Sequence, residues 1–83
     1  MIQVVITSEA SKQYKHLPAK EQKKIKKKLL LLEQSPLAGK KLSGELSGYR
    51  SLRVWPYRII YTIDESSLNL TIKSIIHRQG AYK

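Results

Sequence analysis

The chain has 83 residues and a formal net charge of +10, since sixteen lysine and arginine residues stand against six acidic ones. It contains no cysteine, which excludes disulfides, a thiolate zinc site and a thiol nucleophile. The length predicts one domain over residues 1–83, with a core that buries only about 60% of the surface of the unfolded chain. The charge favours a polyanionic partner, with nucleic acid first and an anionic membrane or an acidic protein as competitors.

The start of the sequence does not have the pattern of a targeting segment. Residues 1–7 lack the basic start and long apolar stretch of a signal peptide, and the longest aliphatic run, residues 29–32, is far too short to span a bilayer. We therefore expect a cytoplasmic protein that does not associate with membranes.

The first predicted elements are a strand and a helix. Residues 2–7 are rich in β-branched side chains and predict a short strand. Ser8 is placed to cap a helix, whose apolar face carries Ala10, Tyr14 and Leu17 at spacings of four and three residues. The proline that follows ends this helix, because the residue before a proline is pushed out of helical geometry.

A second helix is predicted over residues 19–34 and carries the densest charge in the chain. Ile25, Leu29 and Leu32 form its buried stripe. Lysines occupy the other faces, either as a surface that follows nucleic-acid phosphates or as a solvated face that keeps a small protein soluble. These lysines are Lys20, Lys23, Lys24, Lys26, Lys27 and Lys28.

The centre of the sequence predicts an antiparallel hairpin with its turn at Trp55-Pro56, where proline cannot donate to a ladder. In the first strand Leu52 and Val54 alternate with the polar residues Ser51 and Arg53, and Arg53 should therefore face away from the core. The same period in the second strand puts Arg58 on the face opposite its tyrosines. Two guanidiniums could then share one sheet surface, although a single strand arginine is more simply a solvated edge charge.

A loop from Ser35-Pro36 to Gly48 precedes this hairpin, and a turn over residues 64–67 follows it. A last strand is predicted over residues 68–76, and the loss of alternation near residues 74–76 indicates either a bulge or the end of strand pairing. The order of one strand, two helices and three strands predicts an α+β fold. In this fold the N-terminal strand and the helical hairpin pack on an antiparallel sheet, and the arginines occupy the face away from the helices.

The remaining polar residues favour phosphate chemistry. The two histidines, His16 and His77, have no carboxylate or cysteine at ligand spacing, so we expect no metal and no cofactor. His16 is better explained as a cation at the end of the first helix. Cations on or beside the predicted sheet could grip a phosphodiester through charge-assisted hydrogen bonds. They are Arg50, Arg53, Arg58, Lys73, Arg78 and Lys83, with His77 and Tyr82 at the end of the last strand.

Such a set of cations suits RNA cleavage by the 2′-hydroxyl of the substrate itself. The enzyme must align this hydroxyl with the adjacent phosphorus, stabilise charge on the phosphoryl oxygens and move a proton at each end. This reaction needs neither a metal nor a protein nucleophile.

Three blocks of the sequence are informative together. They are Lys41-Leu42-x-Gly44, then Leu52-Arg53-Val54 with Tyr57-Arg58-Ile59-Ile60-Tyr61, and the ending His77-Arg78 with Ala81-Tyr82-Lys83. With the helical pair they resemble the RelE branch of the RelE/ParE superfamily, the toxins of type II toxin–antitoxin systems, over nearly the whole chain. The resemblance implies a RelE-like, microbial-RNase-like fold and a ribosome-dependent mRNA endonuclease that cuts in the decoding site and inhibits translation. It also implies a cognate antitoxin as partner.

The resemblance implies roles for individual residues. Arg58 matches the arginine that stabilises the phosphate, Arg78 the C-terminal arginine, and Tyr82 the tyrosine that stacks on or orients the cleaved nucleotide. Arg53 stands where some members have a lysine proposed as general base, a role that suits arginine poorly because its guanidinium stays protonated. His77 is a candidate base because histidine is the side chain most often used for proton transfer, although it could simply cap the strand end, and Tyr82 and Lys83 are alternatives. Further RNA contacts are expected from Lys41, Arg50, Lys73, Lys83, Lys23 and Lys27.

The expected partner follows from the charge. A small, very basic toxin should be met by an acidic antitoxin segment that forms a helix on binding, within a toxin–antitoxin hetero-oligomer. Trp55 is a candidate exposed anchor for this segment, or else an ordinary core residue. Two other functions stay open: a ParE-type toxin that inhibits DNA gyrase, and a non-catalytic RNA-binding module. The module would be more sensitive to changes at residues 23–28 than to Arg58→Ala.

Overall fold

The computed structural model describes residues 2–77 of the chain. Its elements are β1 (Gln3–Ile6), α1 (Ser8–Lys15), α2 (Ala19–Gln34), β2 (Lys40–Lys41), β3 (Arg50–Val54), β4 (Tyr57–Asp64) and β5 (Asn69–His77), with one turn of 3-10 helix over Gly44–Leu46. The strands form one sheet in the order β1-β5-β4-β3-β2. The predicted α+β architecture and the hairpin turn at Trp55-Pro56 are confirmed.

The sheet is mixed, which corrects the expectation of a purely antiparallel one. Strands β2 to β5 pair antiparallel, whereas β1 lies parallel to β5, with Val4 beside Leu70 and Ile6 beside Ile72. Consecutive strands joined by short turns must run antiparallel. The relative direction of β1 and β5 is free of that constraint, because both helices and three strands separate them in the chain.

The N-cap of α1 is Thr7, one residue before the predicted Ser8. The Thr7 hydroxyl, not Ser8, accepts a hydrogen bond from the backbone N–H of Ala10 at 3.2 Å. The same hydroxyl lies 3.0 Å from the carbonyl oxygens of Ile72 and Lys73, to which it donates. Thr7 therefore caps α1 and ties it to β5. The other end of α1 is as predicted, since His16 follows it with Nδ1 2.7 Å from the carbonyl oxygen of Lys12.

The core lies between the two helices and one face of the sheet. The predicted helical stripes are confirmed, because Ala10, Ile25 and Leu32 are fully buried and Tyr14, Leu17 and Leu29 pack against them. The sheet contributes the residues that alternate towards the helices, namely Val54, Ile59, Tyr61, Leu70, Ile72 and Ile75. Residues of the opposite parity in these strands are left to form a second face.

Tyr61 fixes the segment that connects α2 to β2. Its side chain is fully buried, and its hydroxyl donates to the carbonyl oxygen of Pro36 and accepts from the N–H of Gly39, each at 2.8 Å. Burial raises the pKa of this phenol above its ordinary value. Gly39 packs so tightly on the ring that a Cβ atom there would overlap the tyrosine. The start of β2 is thereby held at a defined place beside β3.

Three local predictions change. The segment expected as a plain loop contains β2 and the 3-10 turn at Gly44–Leu46. Leu68 belongs to the turn and not to the last strand, with an exposed side chain and a φ of +56°. The predicted bulge is confirmed but lies slightly earlier, because Tyr61 pairs with Ile72 and Ile60 pairs with Ser74, which leaves Lys73 as the extra residue.

Within residues 2–77, no helix combines the length and the apolar composition needed to cross a membrane.

Candidate nucleic-acid interface

Two arginines lie directly opposite each other in the central hairpin. Arg53 of β3 pairs with Arg58 of β4, which in turn pairs with Ile76 of β5. Paired residues of neighbouring strands project to the same side, and these three have the parity opposite to the core residues. Arg53 and Arg58 therefore share the face of the sheet turned away from the helices, as predicted. We call this surface the arginine face.

A second row of side chains crosses the arginine face beside the first. The register aligns Lys40 with Ser51, Ser51 with Ile60, and Ile60 with Ser74. Ser51, Ile60 and Ser74 are 6%, 5% and 8% exposed, so the middle of this face is covered although it lies outside the helix-side core. Lys40, on the edge strand, is exposed.

The two rows border an open groove with a volume of about 740 Å³. Of its ten described lining residues, four are cationic and none is acidic. The cations are Lys40, Lys41, Arg53 and Arg58, and the others are Ala38, Leu42, Ser43, Leu46, Ser51 and Leu52. The sequence predictions for Arg53, Arg58 and Lys41 thus converge on one concave surface. Guanidinium and ammonium groups gathered in this way suit a phosphate ligand.

Arg50 lies on the other side of the sheet. It pairs with Tyr61, whose side chain is in the core, and its guanidinium donates to the carbonyl oxygen of Gly39 at 2.9 Å. This contact supports the segment that leads into β2. The structure therefore gives Arg50 a structural contact, while its predicted part in RNA binding stays a prediction.

The lysines of α2 form a separate cationic surface. Lys23 and Lys27 are exposed on the helix, which covers the sheet face opposite the arginine face. Lys24 connects this helix to the hairpin, because its Nζ donates to the carbonyl oxygen of Trp55 at 3.1 Å. The same Nζ forms an ion pair within the helix with Glu21, at 3.1 Å. The structure thus does not bring the α2 lysines and the groove arginines onto one surface.

The last described strand carries two further candidates. His77 pairs with Tyr57, a residue of helix-side parity, and the two rings meet edge to face with centroids 5.4 Å apart. The register therefore places His77 on the face opposite Arg58. Lys73 is exposed at the bulge. Arg78, Tyr82 and Lys83 lie outside the described residues.

Lys40, Ser43 and Ser51 are polar groove residues that were not predicted as site residues from the sequence. Ser51 was assigned only to the polar side of its strand, and its position beside the arginines depends on the pairing of two strands. Lys40 belongs to a strand of two residues, which is too short to show a period. The run Lys40-Lys41 beside a glycine was the available signal.

Comparison with solved structures defines the class of the fold. The chain is 30% identical to a chain of the RelBE2 toxin–antitoxin complex of Mycobacterium tuberculosis, with a TM-score of 0.86 over 93% of this chain and 98% of that one. The YoeB dimer of Staphylococcus aureus is 27% identical, with a TM-score of 0.72 over 88% and 92% of the two chains. The archaeal RelE–RelB complex of Pyrococcus horikoshii, at 23% identity, shares the fold with a TM-score of 0.82 over 96% and 98%. The protein is a toxin of the RelE/ParE superfamily.

The sequence also matches a model of one protein family. Residues 4–82 match the model of the ParE toxins of type II toxin–antitoxin systems, and the chain belongs to that family. A search of curated proteins gave no significant match. The resemblance drawn from the three sequence blocks is confirmed at the level of the superfamily.

Proposed function

We propose that this toxin is a metal-independent endoribonuclease that cleaves mRNA in the decoding site of the ribosome and so inhibits translation. The observation that carries the proposal is the Arg53–Arg58 pair, set side by side on a rigid hairpin in a groove whose described lining is cationic. The activity requires a cytoplasmic protein. The proposal also agrees with the fold, which this chain shares with RelE and YoeB toxins.

The groove residues would act on the phosphate. Side chains of directly opposed strand residues start about 5 Å apart, so both guanidiniums can reach the oxygens of one phosphodiester. There they would stabilise the charge that develops when the 2′-hydroxyl attacks phosphorus, and a preorganised pair costs no reorganisation at that moment. Lys41 would hold the RNA substrate in the groove through a further phosphate contact. These roles rest on the placement of Arg53, Arg58 and Lys41 in the lining.

Proton transfer would fall to residues near the end of β5. Tyr82 and Arg78 are proposed to orient the cleaved nucleotide and its phosphate, as the family resemblance implies. His77 can serve as the base only if the substrate passes the end of the sheet, because its strand register puts it on the face opposite Arg58. Alignment and charge stabilisation by the arginines would then supply most of the rate enhancement.

The proposed partner is a cognate antitoxin with an acidic, helical segment. The solved relatives from Mycobacterium tuberculosis and Pyrococcus horikoshii are themselves toxin–antitoxin complexes. A net charge of +10 favours an acidic partner, and exposed apolar side chains supply anchors. Trp55 is 55% exposed, as the anchor hypothesis requires, and Leu30 and Leu37 are 54% and 64% exposed.

Ribosomes programmed with a defined mRNA would test the activity, with cleavage mapped by primer extension. The wild type should cut at the decoding-site codon, and Arg58→Ala should cut at least about 100-fold more slowly, the loss typical of one removed transition-state donor. Lys15→Ala is the matched control, because it removes one exposed positive charge from α1 and leaves the groove intact. An intact message at excess wild-type toxin would refute the proposal, as would full activity in Arg58→Ala.

A second candidate is inhibition of DNA gyrase, which the match to the ParE toxin model specifically favours. A supercoiling assay decides between the two functions, since a gyrase inhibitor would block supercoiling and leave programmed mRNA intact. Salt-sensitive RNA binding without cleavage or gyrase inhibition would instead indicate the non-catalytic module. In that case changes at Lys23 and Lys27 should outweigh Arg58→Ala.

A further inference from the structure

Ser51 carries a buried hydroxyl with no hydrogen-bond partner. The residue is 6% exposed, and its Oγ is one of two such buried side-chain atoms in the described part of the chain. The other is Oε2 of Glu21, whose second oxygen is held by Lys24 at 3.1 Å. Leaving a buried hydroxyl unpaired costs free energy, and such groups in native proteins need an explanation. Ser51 lines the cationic groove, so a ligand there is a natural partner.

The position of Ser51 relative to the arginines is set by the strand register. Ser51 and Arg53 are two residues apart on β3, and Ile60 and Arg58 are two residues apart on β4. Same-face residues two apart in a strand are separated by about 7 Å. The row formed by Lys40 and Ser51 therefore runs parallel to the Arg53–Arg58 row at a spacing close to that between consecutive phosphates of an extended nucleic-acid strand.

We propose that Lys40 and Ser51 form a subsite for the phosphate next to the one held by Arg53 and Arg58. The ligand class is a single nucleic-acid strand with two consecutive phosphates. The Lys40 ammonium pairs with the second phosphate, and the Ser51 hydroxyl donates to one of its oxygens. Lys40 is exposed on an edge strand, so its flexible stem can follow the phosphate and uncover the serine opposite it.

The subsite rests on the proposed function only in its use of RNA as the ligand. Both roles are positioning roles, since neither residue is placed at the reacting atoms. Lys40 would supply charge without geometric selectivity, whereas Ser51 would supply one directed hydrogen bond. The two contributions can be separated by variants that keep the charge or the hydroxyl.

Binding of non-cleavable probes to the free toxin tests the subsite. Three 2′-O-methyl uridine dinucleotides serve as probes. One has only the phosphate between its nucleosides, one has a second phosphate at the 5′ end, and one has a second phosphate at the 3′ end. Each is titrated into the toxin, and binding is followed by NMR. The wild type should bind one of the two-phosphate probes about tenfold more tightly than the one-phosphate probe, the factor given by one hydrogen bond to a charged group. Lys40→Ala and Ser51→Ala should each lose that preference and keep their affinity for the one-phosphate probe.

Matched variants separate positioning from folding. Ser51→Ala should leave the melting temperature unchanged or raise it, because it removes an unpaired buried hydroxyl. Lys40→Arg should keep the preference, and so should Lys15→Ala, which removes an exposed charge from α1 instead. Equal affinity of the wild type for all three probes would overturn the proposal, as would an unchanged preference in both Lys40→Ala and Ser51→Ala.

The same experiment distinguishes the subsite from the nuclease proposal. Because the probes cannot be cleaved, a toxin inactive on ribosomes can still show the two-phosphate preference, which would support the subsite and refute only the nuclease. Cleavage lost in Arg58→Ala, together with equal binding of all probes, would refute only the subsite.

Discussion

Replacing Tyr61 by phenylalanine removes the oxygen atom that joins β4 to the segment between α2 and β2. The ring would stay in the core, but the N–H of Gly39 and the carbonyl of Pro36 would both lose their partner at 2.8 Å. An unpaired buried N–H costs about 1–3 kcal/mol, and the more accessible carbonyl adds about 1 kcal/mol. We therefore expect a loss of about 2–4 kcal/mol, out of a total stability of about 4–12 kcal/mol for a chain of this size.

Urea unfolding measures this loss directly, and Tyr14→Phe is the matched control because its ring packs at the edge of the same core. Each 1 kcal/mol shifts the melting temperature of a small domain by about 4–8 °C, so Tyr61→Phe should melt at least about 8 °C lower. A loss below about 0.5 kcal/mol, or an equal loss in Tyr14→Phe, would refute the claim that this hydroxyl holds the segment before β2.

The pH dependence of the same pair of proteins gives an independent check. Since burial raises the pKa of Tyr61 in the folded state, the unfolded chain loses this proton first as pH rises. The stabilisation is complete below the ordinary tyrosine value of about 10 and is lost as pH climbs through the higher folded value. Stability of the wild type should therefore fall more steeply above pH 10 than that of Tyr61→Phe, and parallel curves would contradict this account.

Three further changes should have separable effects. Gly39→Ala should destabilise by about 1–3 kcal/mol in urea, because its Cβ would overlap the Tyr61 ring, and an unchanged midpoint would contradict that packing. Thr7→Ala should cost about 1–2 kcal/mol through the lost helix cap, whereas Ser8→Ala should stay within about 0.5 kcal/mol, and the reverse order would restore Ser8 as the cap. Hydrogen bonds from Ser66 and Ser67 lower the pKa of Asp64, so the ionised carboxylate stabilises the folded state above about pH 4. This stabilisation is lost as the carboxylate is protonated in acid. The difference in stability between wild type and Asp64→Ala should therefore shrink as pH falls below about 4, and a difference independent of pH would contradict the assignment.

The fold was predictable wherever a period of two or 3.6 residues ran for several turns or several strand residues. The stripe of Ile25, Leu29 and Leu32 placed α2 correctly, and the alternation around Arg53 and Arg58 assigned both arginines to the face away from the helices. The parallel pairing of β1 with β5 was not predictable in this way. Strand direction across a long connection is decided by tertiary packing, and no local pattern records it.

The site was predictable only in part, because a groove depends on which strands lie side by side. Arg53 and Arg58 are close in sequence and share a hairpin, so their register followed from one turn. Lys40 reaches them through a strand of two residues, and Ser51 becomes a groove residue only once that strand is paired. Arg50 lies on the face of Tyr61 instead, and its predicted part in RNA binding stays a prediction.

The polar groups on the two sides of the sheet are satisfied to different degrees. Towards the helices, the Tyr61 hydroxyl has both of its partners, and the side chain of Gln13 accepts from the N–H of Ile75 at 2.6 Å. On the arginine face, by contrast, the Ser51 hydroxyl is buried without a partner, beside the strand pair that carries Arg53 and Arg58. Local conflicts with folding are expected where function requires them. A ligand that brings both negative charge and hydrogen-bond acceptors would suit the arginines and the serine hydroxyl together, and a chain of phosphates has both properties. Inorganic phosphate or a short oligonucleotide should therefore raise the melting temperature through the groove, and Arg53→Ala should reduce that rise.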